Sequence, residues 1–97
     1  MIAENFLSMI NTYRFQQDHY WRNIGNALYT VFNGNNKGLE LWKHYTEKSN
    51  QFTQEDCENQ YHTFIPNRMT IKTLAWFARE DSPKQYRTFY GNSILII

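Results

Sequence analysis

From Trp21 to Phe64 the large side chains of this chain come mainly at intervals of three and four. Trp21, Ile24, Leu28 and Val31 form one series, Leu39, Trp42, Tyr45 and Ser49 a second, and Cys57, Tyr61 and Phe64 a third. That spacing gathers each series on one face of an α-helix and scatters it over both faces of a strand. A chain of 97 residues has room for one modest core, and 7 Phe, 7 Tyr and 3 Trp supply the buried area that so short a chain otherwise lacks. With 4 Gly and 2 Pro, breaks are few. The expected fold is all-α, a small compact bundle of five to six short helices.

The breaks that exist divide the chain cleanly. Phe6, Leu7 and Ile10 mark a short amphipathic helix ahead of the polar run Gln16-Gln17-Asp18. The run from Asn33 to Gly38 is the strongest interruption, because Asn and Gly tolerate the left-handed backbone that ends helices. Thr53 followed by Glu55 and Asp56 reads as an N-cap with acidic residues in the first turn, and Pro66-Asn67 as the close of that helix. Thr70 opens a helix with Ile71, Leu74, Ala75 and Ala78 on its apolar face and Phe77 at the edge. Ser82-Pro83 starts a last, short helix carrying Tyr86, Phe89 and Tyr90, and Gly91-Asn92 ends it. Gly25 lies near the apolar stripe of its helix, where a missing side chain lets another helix approach. Residues 1–92 are expected to form the domain. The tail 93–97, with Ile94 to Ile97, is expected to dock on the core or to start a following segment.

Several function classes lose support at this point. Cys57 is the single cysteine, so no intramolecular disulfide forms, and a reducing, intracellular setting is the default. The aliphatic run at the end is far too short to span a membrane, and no membrane partner is expected. His19, His44, Cys57 and His62 lack any metal-ligand spacing, so no metal or other cofactor is expected. Cys57 sits among Glu55, Asp56 and Glu58, which oppose a thiolate, and in line with Tyr61 and Phe64, which make it a core residue. Glu80-Asp81 reads as a solvated helix end. Gly34 to Gly38 lacks the length and the ending of a phosphate-binding loop and reads as a turn. No constellation combines a nucleophile, a base and a stabilising donor.

One surface row stands out. Lys72, Trp76 and Arg79 fall at i, i+4 and i+7, on a face turned away from Ile71, Ala75 and Ala78. Cations that meet phosphates, with a ring that stacks on a base, make a single-strand binding surface. The alternative is that Trp76 packs against a neighbouring helix, as Trp in a small domain usually does, while Lys72 and Arg79 reach past it. Arg68, Lys84 and Arg87 add charge nearby in sequence against Glu80 and Asp81, whereas Glu55, Asp56 and Glu58 make the stretch from 51 to 64 acidic. The formal charge of +1 therefore hides an asymmetry.

The order of motifs resembles the primase C-terminal domain of the second type, a helical module of primase-helicases from large DNA viruses, some phages and plasmids. The likeness is carried by four stretches. These are Arg14 to Leu28 with Tyr20-Trp21 and Ile24-Gly25-Asn26-Ala27-Leu28; Gly38-Leu39-Glu40-Leu41-Trp42 with Tyr45-Thr46 and Ser49; Cys57 to Phe64; and Thr70 to Leu74 followed by Trp76 to Asp81 and Pro83. Tyr45-Thr46 stands where the family often has Trp-Ser, Tyr61 where it commonly has Trp, and Lys72 where a small residue is usual. The resemblance makes Trp21, Leu28, Leu39, Trp42, Phe64, Ile71 and Leu74 core residues. It implies a primase domain before this module and a superfamily 3 helicase domain after it, with primer synthesis and ATP hydrolysis belonging to those neighbours. It implies, too, an accessory role in engaging template single-stranded DNA, or else a docking spacer between the two neighbours. The setting it implies is the host cytoplasm or nucleus at viral replication sites. No catalytic residue carries over. The candidate nucleic-acid contacts are Lys72, Trp76, Arg79 and Arg68.

Overall fold

Seven helices and no strand make up the described residues of the computed structural model, which covers the backbone of residues 2–66 and 68–96 and the side-chain surroundings of these up to residue 89. In chain order they are α1 (Ile2–Met9), α2 (Thr12–Phe15), α3 (Asp18–Val31), α4 (Asn36–Ser49), α5 (Gln54–Tyr61), α6 (Ile71–Asp81) and α7 (Pro83–Ile96). The all-α bundle expected from the periodicity is what forms, with α2 as one additional turn. α3 lies at the centre, packed on α2, α4, α5 and α6, while α1 and α7 flank α6. The radius of gyration, 13.0 Å, is that of a compact chain of this length.

The start signals work as side-chain caps. Asn11 and Asn35 accept from Tyr13 N and Lys37 N at the heads of α2 and α4. Thr53 and Asp56 form a reciprocal capping box on α5, and Thr70 and Thr73 one on α6. Several ends differ from the sequence reading. α4 begins at Asn36, so Lys37 and Gly38 belong to a helix, and the true turn is Asn33-Gly34, both with positive φ. α5 stops at Tyr61, and Phe64 packs on Trp42 from the following turn at 5.6 Å; Asn67 lies outside the described residues. α7 runs through Gly91 and Asn92 to Ile96, since one helical glycine costs only about 1 kcal/mol. The side chains of Tyr90 and of the apolar tail lie outside the described residues. Val31, expected in the core, is 38% exposed. It is the last residue of α3, and Phe32 packs against the core in its place. Phe77, expected at an edge, is buried.

The core is organised around Trp42, which has no exposed surface. Its ring lies 4.6 Å from Trp21, whose other neighbour, Phe52, stacks at 4.2 Å. Tyr61 completes the cluster at 6.3 Å. Gly25 makes this possible: a Cβ there would run into the Trp42 ring. Gly38 plays the same part between α4 and α5, where a Cβ would meet Tyr61 Oη and the Leu28 carbonyl. Trp21 Nε1 donates to Thr46 Oγ1 at 3.0 Å, and Tyr61 Oη donates to the Asn35 carbonyl at 2.7 Å. Both rings thereby bury their area without stranding a donor.

Two outcomes follow for stability. Gly25→Ala gains helix propensity but overpacks Trp42, and urea unfolding is expected to show a net loss of about 1–3 kcal/mol; an unchanged midpoint would mean that the ring has room. Burial pushes the Tyr61 hydroxyl up to about 12. The folded state therefore keeps a proton that the unfolded chain releases near its ordinary pKa of about 10. Stability is full below pH 10 and falls as pH rises toward 12. Tyr61→Phe should flatten that decline, which denaturation across the alkaline range would reveal.

Candidate nucleic-acid interface

α6 turns Leu74, Phe77 and Ala78 into the core. The opposite face carries Lys72, Trp76 and Arg79, and all three are exposed. Trp76 is 55% exposed, so the packed alternative is not what the fold adopts. The helix already fills its inward face with smaller apolar side chains, and Trp76 lies on the wrong side to join them. Arg68 is exposed ahead of the Thr70 cap. The structure thus brings Lys72, Trp76 and Arg79 together on one helix face and leaves Arg68 in the loop before it. Lys72 stands exposed, so its bulk meets no steric barrier.

The ends of α6 and α1 are joined by a polar clasp that the sequence reading overlooked. Asp81 Oδ2 accepts from Arg14 Nε at 2.7 Å and from the backbone N–H of Asn11 at 2.8 Å. Next to it, Ser82 Oγ donates to the Met9 carbonyl at 2.7 Å. The Arg14 and Asp81 side chains are only 13% and 11% exposed. Asp81 is therefore no solvated helix end; Glu80 alone is exposed there. The hydrogen bond to Asp81 and its charge raise the Arg14 pKa despite partial burial. The Arg14 guanidinium carbon also lies over the rings of Phe77 at 4.4 Å, Tyr20 at 4.8 Å and Trp76 at 5.8 Å. A signal for this contact was absent locally, because the partners are 67 positions apart.

With Asp81 committed to Arg14, Glu80 is the one carboxylate between residues 68 and 87 without an ion pair among the described residues. Arg68, Lys72, Arg79, Lys84 and Arg87 form no ion pair among the described residues. Cys57 is buried, and burial raises its thiol, so it is inert packing. No group of three or more His, Cys, Asp or Glu that could hold a metal occurs among the described residues. An open groove of ≈ 960 Å³ runs between α1 and the start of α7, lined by Ser8, Met9, Pro83, Lys84 and Phe89 among others.

A family model described as Primase C terminal 2 (PriCT-2) matches residues 3–78. The chain belongs to that family. The match spans α1 to most of α6, so the PriCT-2 fold holds both the ring cluster around Trp42 and the row Lys72-Trp76. No curated protein and no solved structure matches the chain. As a PriCT-2 member it is a primase-associated C-terminal module. No helix among the described residues is long and apolar enough to cross a membrane.

The clasp separates two neighbouring carboxylates by experiment. Asp81→Asn removes the charge that faces the part-buried Arg14 and accepts from the Asn11 N–H, and should destabilise the domain by about 1–3 kcal/mol. Glu80→Gln, at an exposed site, should stay within about 0.5 kcal/mol. Equal urea midpoints for the two variants would count against the clasp.

Proposed function

We propose that this PriCT-2 domain is an accessory domain of a viral-type DNA replication primase-helicase and engages the single-stranded template during primer synthesis or unwinding. The observation that carries this reading is a Trp ring 55% exposed between two exposed cations on one helix face. A single-strand groove needs those parts: cations for the phosphates and an open ring for a base. Sequence preference is not expected, because every base has a face to stack. The working site is the host cell, at viral replication sites in cytoplasm or nucleus. The primase domain of the same protein and a superfamily 3 helicase domain are the neighbours on this reading.

The groove between α1 and α7 favours a second reading, a docking spacer between those two domains without nucleic-acid affinity of its own. Its apolar lining, Met9, Pro83 and Phe89, suits a protein segment better than a phosphate backbone.

Fluorescence anisotropy of short single-stranded DNA at two salt concentrations decides between them. Template engagement gives saturable binding that weakens with salt, with a slope of about 0.7 per neutralised phosphate. Trp76→Ala should then lose about 1–3 kcal/mol of affinity, the worth of one stacked base. Lys72→Ala and Arg79→Ala should each flatten the salt slope by nearly one contact. Glu80→Gln should tighten binding by removing a charge that repels phosphate. No binding at low salt leaves the docking spacer as the function.

A further inference from the structure

The rings around Arg14 do not stop at α6. Tyr20, at the start of α3, lies under the Arg14 guanidinium at 4.8 Å, and the His19 ring lies 4.0 Å from Tyr20. Phe77 meets Tyr20 edge-on at 5.6 Å and closes the inner side. The result is a continuous row across three helices: Trp76 on α6, Arg14 on α2, then Tyr20 and His19 on α3. Its middle members are sheltered, with the Arg14 side chain 13% exposed and Tyr20 half-buried. Its two end rings, Trp76 and His19, are exposed.

We propose that His19 is a second stacking position, so that a single strand seated on Trp76 continues across Arg14 onto the start of α3. This rests on the template reading above and deepens it: the interface spans three helices, not one. One exposed ring holds one base, and a strand held by stacking needs a succession of ring faces along its path. The row supplies a second face within the span of a single guanidinium and its two flanking rings. Arg14 is a positioning residue here. Asp81 fixes its Nε, and its guanidinium carbon lies 4.8 Å from the Tyr20 ring and 5.8 Å from the Trp76 ring, between the two. Charge along the path is compatible with a phosphate chain. Asp18, beside His19, is paired with Arg22 at 3.0 Å, and Asp81 is paired with Arg14 at 2.7 Å. That leaves Glu80 as the carboxylate nearest the row on α6 without an ion pair among the described residues.

The test uses the full chain and oligothymidines of increasing length, with anisotropy as the readout. Trp76→Ala is expected to weaken binding at every length. His19→Ala should leave the shortest bound oligomer unaffected and weaken longer ones by about 5- to 150-fold, the range of one stacked base. His19→Phe should restore the longer ones, which a merely structural role would not predict. His19 is exposed, so these replacements leave the core intact. If His19→Ala binds every length as the unaltered chain does while Trp76→Ala is weakened, the second position is overturned and template engagement stands. Equal losses at all lengths also overturn it, since His19 would then share the Trp76 position. Failure of the unaltered chain to bind overturns both.

Discussion

The structure depends on Trp42 lying in the notch left by Gly25. Without a Cβ at that position, α3 and α4 come close enough for the whole indole to be enclosed. A large ring buried in a small domain contributes more area than any other single side chain, so elements arrange themselves around it. Trp21 lies over one side of it, and Tyr61 and Phe64 bring in α5 and the turn after it. The rotation of α3 follows. Once Trp21 faces Trp42 and donates to Thr46, its neighbour Tyr20 is directed to the side of the helix that meets Phe77 on α6. The candidate interface is thus positioned by the core and not by the surface residues themselves.

A second constraint ties the ends together. Asp81 closes α6 by accepting from the residues that open and build α2, and Ser82 holds the end of α1. Truncating one partner of a part-buried charged pair strands the other, so such a pair fixes geometry more surely than it adds stability. Here it fixes where α2 sits against the end of α6, and with it the place of the Arg14 guanidinium between Tyr20 and Trp76.

The local part of this was legible. The periods of three and four marked six of the seven helices among the described residues, the caps at Thr53 and Thr70 marked where α5 and α6 begin, and Gly25 beside an apolar stripe marked a close approach. What was not legible was long-range. Nothing around Asp81 distinguishes it from Glu80 until the fold brings Arg14 to it. Thr46 looked like one more polar residue until Trp21 needed an acceptor. Val31 and Phe32 show the limit of a helical wheel at a helix end, where a single turn of backbone exchanges which of two neighbours faces inward. Trp76 is the opposite case. The wheel placed it away from Ile71, Ala75 and Ala78, while the general habit of Trp pointed inward; the wheel was the better guide, because the inward face was already filled.

The near-neutral net charge looks like an argument against a strand-binding domain, and the pairing pattern removes most of its force. Carboxylates in this fold are largely committed. Asp56 sits in a capping box, Asp18 faces Arg22, Glu58 faces Lys43, Glu4 faces Lys37, and Asp81 holds Arg14. The exposed pairs among these add little to stability, but each cancels a charge locally. The cations from Arg68 to Arg87 have no such partners among the described residues, and Glu80 is the one free carboxylate in their stretch. A phosphate backbone responds to the charge within about one Debye length, roughly 8 Å at physiological salt, and not to the sum over the chain. A domain whose charges nearly cancel overall is therefore still able to present a positive face, and that face is the one that carries Trp76.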